Sequence, residues 1–273
     1  MTTSRPSTHL IYVPKGRARE YAALACNTYR GCAHGCAYCY APAIVIREKM
    51  TDAERREQFK HAQVRPGDFL NRLEWEAAML KGQGVTGQVL LSFTCDPFQP
   101  LEDEFHVSRE TIKILHHYGF TVSVLTKAPH RAIVDAHLFS PKDSFGTTLV
   151  FSNDADIAKE EPGADTYAQR TVSLGFIHEH GIPTYVSCEP VIKPSQTIEI
   201  IKEIHDDVDM FKVGKLNHDP YADHYDWKPF GNLAITVLEH FGYKRILDPD
   251  EGVKASASNR LYYIKQDLAR LLT

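Results

Sequence analysis

Six short apolar runs recur along the chain, near residues 22–28, 88–93, 121–125, 147–152, 183–188 and 210–213, with helical periodicity between them. Near-continuous apolar runs bounded by turn residues mark strands covered on both faces. Their alternation with helices predicts an α/β fold built on parallel strands. Helical patterns cover 68–81, 108–117, 164–180 and 232–240, with Ser108 as a cap of the second. Ser195 caps a further helix, with Ile198, Ile201 and Ile204 on one stripe, and Ser258 opens a final one with Leu261, Ile264, Leu268 and Leu271. Six such strands make a partial (β/α)6 TIM-type barrel or an open doubly wound sheet. Both architectures place ligands beyond the carboxyl ends of the strands. The residues that follow each run are therefore the ones to inspect: 32–40, 94–97, 126–127, 152–154, 188–190 and 214–217.

At 273 residues, 43% hydrophobic and 24% charged, the chain can bury a sizeable core and is not a disordered tail or a disulfide-stapled miniprotein. The expected organisation is an N-terminal extension (1–20), a barrel core (21–245) and a C-terminal helical extension (246–273). No apolar run reaches the ~18 residues of a membrane span, and no signal-peptide core opens the chain, which predicts a cytoplasmic protein. Residues 1–72 hold 12 Lys and Arg against 6 Asp and Glu, a net of +6, whereas the rest holds 19 against 29, a net of −10. Such asymmetry marks a face for a polyanion or is scattered solvated charge.

The cysteines carry the chemistry. Three of the six fall within eight residues, as Cys32-x3-Cys36-x2-Cys39. Clustered cysteines without a secretion signal point to metal ligation rather than to disulfides. Three thiolates on one loop leave a four-iron cluster with one open iron, and an open metal position is what chemistry requires. Gly31 and Gly35 permit the tight bends. A zinc knuckle using His34 or Cys26 as a fourth ligand is the rival reading.

The spacing, with Tyr38 before the last cysteine, resembles the signature of the radical SAM superfamily. Four further segments resemble its DNA repair photolyase-like branch, to which spore photoproduct lyase belongs. They are Thr94-Cys95-Asp96-Pro97-Phe98-Gln99-Pro100, Thr126-Lys127, Glu161-Pro162-Gly163-Ala164 with Arg170, and Glu189-Pro190-Val191. Val213–Asn217 is also similar to relatives. The resemblance covers most of residues 22–217. It implies a partial (β/α)6 barrel with a 4Fe-4S cluster on Cys32, Cys36 and Cys39 and S-adenosylmethionine on the open iron. Reduction by an external one-electron donor then yields a 5′-deoxyadenosyl radical that abstracts hydrogen from a substrate. The branch points to nucleic acid. A protein, a peptide or a small metabolite is the alternative, and a non-catalytic zinc-binding module is the third reading.

For cofactor contacts the resemblance singles out Asp96 and Glu189 for the methionine ammonium or ribose hydroxyls. Lys127 would meet the methionine carboxylate, Thr94, Thr126 and Ser152 the same polar groups, and Tyr38 the adenine side. Arg170 either reaches the cofactor or makes a helix salt bridge. Lys215 and Asn217 would face the substrate, and Trp227 would close the mouth. A cysteine of the branch returns hydrogen to the product radical; Phe93 holds that position here. Cys95, two residues on, is a substitute donor or a structural thiol; Cys188 is a second candidate or a packing residue, and Cys26 belongs to the core. Residues 217–227, with His218 and His224, form an acidic-histidine patch without a recognised metal spacing.

Overall fold

The structure is a computed structural model and describes residues 9–217, 219–248 and 260–272. Its sheet has eight parallel strands. In chain order the strands are β1 (Leu24–Ala25), β2 (Tyr29–Arg30), β3 (Gln63–Val64), β4 (Gln88–Leu91), β5 (Thr121–Thr126), β6 (Ser144–Thr148), β7 (Thr184–Cys188), β8 (Met210–Val213), β9 (Lys244–Ile246) and β10 (Leu261–Ile264). The sheet order is β1-β4-β5-β6-β7-β8-β10-β9, while β2 and β3 pair separately as an antiparallel ribbon. The first six positions are the expected half-barrel. The last two are additions from the C-terminal region.

Alternation along the strands sorts the core into two layers. Val89, Leu91, Val122, Val124, Phe145, Val186, Phe211 and Val213 face outward and pack under the helices. Leu90, Tyr185 and Met210 face the inside of the curved sheet. The helices Val107–His117, Tyr167–Glu179, Pro194–Ile204 and Trp227–His240 cover the outer layer with buried stripes such as Ile198, Ile201 and Ile204. Among the described residues no helix is long and apolar enough to cross a membrane.

Several expectations shift. The strand expected at 147–152 is Ser144–Thr148; Leu149 follows it in the outer core with its N–H on Ser187 O at 3.1 Å, and Val150 and Phe151 are buried with Ile157. Gly146 fits under the Tyr185 ring, where an added Cβ would lie 2.3 Å from a ring carbon, so the sheet here is built from small residues. Ser108 is not a cap: it sits inside its helix, and its hydroxyl donates to Pro97 O at 2.6 Å. The Glu102 carboxylate instead accepts the N–H groups of Ser108 and Arg109, each at 2.9 Å. Pro194 opens the next helix, after Lys193 rather than at Ser195. Ser258 lies outside the described residues, and Leu261–Ile264 is a strand, followed by the short helix Gln266–Ala269. The 261–264 run satisfies a period of two as well as one of three to four: Tyr262 and Ile264 join the outer core and Tyr263 the inner one.

Asp143, just before β6, ties this edge together. Its carboxylate accepts Val122 N–H at 2.7 Å and Ser140 N–H at 2.8 Å, and lies 3.0 Å from His116 Nε2. Burial pushes the carboxyl up, but His116 and these N–H groups outweigh it and hold the pKa below the ordinary 3.8. A depressed carboxyl stabilises the fold above its unfolded value and ceases to do so as pH falls through the folded one. Asp143→Asn should therefore cost about 1–3 kcal/mol at pH 7. The gap from the parent should narrow below the ordinary value of 3.8, as followed by denaturant unfolding across pH.

Candidate active site

The cysteine loop leaves the carboxyl end of β1 and is pinned on every side. Cys26 N–H extends the ladder to Leu90 O at 2.9 Å. Gly31 has φ +73, and a Cβ there would lie 2.6 Å from Phe59 O, the carbonyl that accepts Cys32 N–H at 2.9 Å. Buried Gln99 brackets the turn, accepting Ala33 N–H at 2.9 Å and donating to Gly31 O at 3.3 Å. On the far side Ala37 N–H reaches Glu160 O at 2.8 Å and Gly163 N–H reaches His34 O at 2.9 Å. Arg56 donates to Cys39 O at 3.2 Å. A Cβ on Gly163 would lie 2.6 Å from His34 Cα and 2.7 Å from Ala33 O, so the two backbones touch.

All six cysteines are free, and Cys32, Cys36 and Cys39 are half-buried on this loop. Burial pushes the Cys36 thiol up to about 12, with Lys127 the strongest opposing influence. Burial also raises Cys32, followed by the charges of Asp96 and Cys36, while the His34 backbone N–H favours its thiolate. Among the described residues no three His, Cys, Asp or Glu side chains converge to hold a metal ion. A single tetrahedral zinc needs all its donors within about 2.3 Å of one point. A cubane instead takes each thiolate on a different iron, so its donors stand further apart. Three thiols, a backbone donor to Cys32 and the Lys127 cation form a donor set that fits an anionic cluster better than one ion.

The strand-end residues divide into clamps and open groups. Asp96 is a clamp. It accepts Thr126 Oγ1–H at 2.7 Å, Phe98 N–H at 2.9 Å and Lys127 N–H at 2.7 Å, with His34 Nδ1 at 3.3 Å. Burial pushes this carboxyl up, but His34, Thr126 and Lys127 N–H hold it at about 2. Its oxygens are committed to the protein, which replaces the expected ligand contact. Thr126 is likewise occupied, accepting Ala128 N–H at 2.9 Å. Ser152 turns to the helix layer, donating to Glu199 at 2.8 Å. Arg170 is 0% exposed and spends its donors on Asp165 O, Thr148 O and Glu161, so it does not reach a ligand.

The groups placed near the mouth are Tyr38, Thr94, Lys127 and Glu189. Lys127 Nζ lies 5.6 Å from the Tyr38 ring centroid. Burial lowers Lys127, but Cys36 and Glu161 raise it further, leaving it above its ordinary value and cationic. Thr94 N–H is fixed to Asn27 at 3.0 Å. Glu189 Oε2 accepts Tyr21 O–H at 2.7 Å and Lys265 Nζ–H at 2.5 Å. Gly214 faces its Oε1, where a Cβ would come within 2.8 Å.

Cys188 is fully buried in the outer layer, with burial pushing it to about 12, and does not face the inside of the barrel. Cys26 is in the same layer, as expected. Cys95 packs against that layer too, with burial raising its thiol against the opposing influence of Ser92 and the Tyr29 backbone. The strand ends at Leu91, so strand alternation does not carry Cys95 onto the lumen face. Trp227 does not close the mouth; it is buried against Phe230 and Tyr225, with Lys215 Nζ 5.9 Å from its ring. Asn217 donates to Lys215 O at 3.2 Å, and His218 lies outside the described residues.

Sequence reasoning missed Tyr21, Tyr40, Gln99, Glu161 and Lys265. Tyr40, 52% exposed, follows the last cysteine and donates to Phe93 O at 3.0 Å. Gln99 and Glu161 stood inside quoted motifs, and their side-chain chemistry was the available signal. Gly163→Ala should cost about 1–3 kcal/mol, because both atoms it meets are backbone. It should also open the loop to proteolysis between residues 31 and 40; an unchanged melting curve and digestion pattern would contradict the close approach.

No protein-family model matches the chain. The uncharacterized protein MJ0683 of Methanocaldococcus jannaschii is 23% identical over 190 residues, covering 64% of this chain and 62% of that protein. The match thus spans less than two thirds of the curated relative. Among solved structures, a spore photoproduct lyase mutant superposes with a TM-score of 0.66 at 12% identity, over 95% of this chain and 80% of that one. A second, with bound AdoMet and dinucleoside spore photoproduct, gives 0.63 at 12% identity over 89% and 76%. Streptococcus suis SuiB bound to S-adenosylmethionine gives 0.55 at 12% identity over 88% and 49%. At such identities the likeness is one of fold alone: the chain shares the fold of spore photoproduct lyase and of SuiB.

Proposed function

We propose that the chain is a radical SAM enzyme. The observation that carries this reading is the three-thiol loop, pinned over the carboxyl ends of parallel strands with the Lys127–Tyr38 pair beside it. Cys32, Cys36 and Cys39 would hold a 4Fe-4S cluster. When bound and reduced, the cluster supplies the electron that splits S-adenosylmethionine into methionine and a hydrogen-abstracting 5′-deoxyadenosyl radical. Lys127, cationic and half-buried, would orient the methionine carboxylate. Glu189 would accept from the ammonium or a ribose hydroxyl through Oε1, since both of the hydrogen bonds it accepts within the protein fall on Oε2. Tyr38 and the loop backbone would exclude water from the thiolate side. Six free cysteines suit a reducing compartment, the cytoplasm.

The substrate class we propose is nucleic acid. Support comes from the net +6 of residues 1–72, the photolyase-like motifs and a fold neighbour that binds a dinucleoside photoproduct. With Phe93 at the position of the branch's hydrogen-returning cysteine, Cys188 facing the helices and Cys95 packed against the outer core, reversal of a photoproduct through a protein thiol is not part of the proposal.

Anaerobic reconstitution with iron and sulfide should give four irons per chain and, with dithionite and S-adenosylmethionine, release of 5′-deoxyadenosine. Cys32→Ala should lose iron and cleavage together; full turnover in that variant would refute the ligand assignment. A colourless protein with one tight zinc would return the cysteines to a structural role. Oligonucleotide binding that falls steeply as salt rises supports the nucleic-acid reading; weak, salt-independent binding favours a peptide or metabolite.

A further inference from the structure

We propose that Glu161 and Arg170 are positioning residues that fix the Tyr38 ring, and through it Lys127, beside Cys36. Arg170, on the helix Tyr167–Glu179, is fully buried, and each of its three guanidinium nitrogens donates a hydrogen bond. Its Nε donates to Asp165 O at 2.9 Å, Nη1 to Thr148 O at 2.9 Å and Nη2 to Glu161 Oε2 at 2.5 Å. The other Glu161 oxygen accepts the Tyr38 hydroxyl. The chain of contacts thus runs from the end of β6 to Tyr38, the residue just before the last of the three cysteines.

The second end of the Tyr38–Lys127 contact is anchored on the same unit. Lys127 O accepts Asp165 N–H at 2.9 Å, and Lys127 N–H is held by Asp96 at 2.7 Å. Asp165 is therefore shared: its carbonyl takes Arg170 and its N–H fixes Lys127. The Tyr38 ring also packs with Val150, Phe151 and Ile157, so its hydroxyl is the one polar handle that sets its rotation. A fully buried ion pair is a weak device for stability, since apolar residues of similar volume do as well or better. What this pair adds is one defined place for an aromatic ring and one for an ammonium.

The redox half of the inference rests on the iron–sulfur reading; the geometric half does not. Arg170 variants leave Glu161 buried and unpaired and can unfold the chain. The tests therefore rest first on Tyr38→Phe, which removes only a hydroxyl and leaves the Glu161–Arg170 pair intact; Glu161→Gln keeps the shape and the hydrogen-bonding groups but takes the counter-charge from Arg170, so its melting temperature is measured beside it. In the metal-free chain, amide exchange at Ala37 and Gly163 should quicken about tenfold in both variants, roughly the loss of one ordinary hydrogen bond. Exchange in β5 and β6 should be unchanged.

In the loaded protein, freeing the ring releases Lys127, and the cluster midpoint potential should fall in both variants. Tyr38→Phe/Glu161→Gln should fall no further than Glu161→Gln alone, because the bond that Tyr38→Phe removes is one of the two that Glu161 makes. Additive potential shifts overturn the proposal, as does a lowered melting temperature with local exchange and potential unchanged. A parent chain that takes up no iron defeats the proposed function instead, and the exchange data then decide the clamp alone.

Discussion

The carboxylate of Asp96 is the constraint on which the site depends. It joins three pieces of chain that have no ladder between them: the cysteine loop through His34, the turn after β4 through Phe98 N–H, and the end of β5 through Thr126 and Lys127. Hydrogen bonds to a charged acceptor are worth about 1.5–3 kcal/mol each, more than neutral ones. Burial opposes the charge, yet the partners hold the carboxyl at about 2, so the clamp is ionised at any physiological pH. Were it slack, the loop and Lys127 would move independently, and the thiols would lose their fixed place over the strand ends.

The two ends of the described chain close the half-barrel. The 3-10 helix Gly16–Glu20 meets the C-terminal strand: Tyr263 O–H reaches Glu20 at 2.9 Å, Gln266 N–H reaches it at 3.0 Å, and Arg17 pairs with Asp267 at 2.8 Å. Tyr21 then enters the barrel between two ammonium groups, Lys212 Nζ at 4.7 Å and Lys265 Nζ at 4.3 Å from its ring. Its hydroxyl sits on Glu189 and 2.7 Å from Ser187 Oγ. At the amino-terminal ends of the strands lies a cavity of about 30 Å³, bordered by Ser123, Tyr185 and Lys212 and the size of one water. The cysteines lie at the opposite, carboxyl end of the strands.

The parallel core and the loop of thiols were legible in the sequence because both are local patterns: apolar runs at regular intervals and a fixed cysteine spacing. What escaped is long-range. Glu161 meets Tyr38 across 123 positions and Lys265 meets Glu189 across 76, and no spacing rule predicts either pair. Arg170 was noticed as either a cofactor contact or a helix salt bridge, and its pairing with Glu161 decides for the salt bridge; its full burial was not readable from a helix pattern. Residues 261–264 fit two periods at once, and only pairing with β8 and β9 decides for the strand. Asp96 and Thr126 were placed correctly at the strand ends. Their donors and acceptors being used by the protein is a fact of packing, invisible in a motif.

The central claim is that three thiolates hold a cluster whose remaining iron meets S-adenosylmethionine. The most direct test is electron paramagnetic resonance of the anaerobically reconstituted, reduced protein, recorded before and after S-adenosylmethionine is added. The account predicts a reduced-cluster signal whose shape changes on addition, because the cofactor enters the coordination of one iron. A reduced-cluster signal that S-adenosylmethionine at saturating concentration leaves unaltered would contradict it.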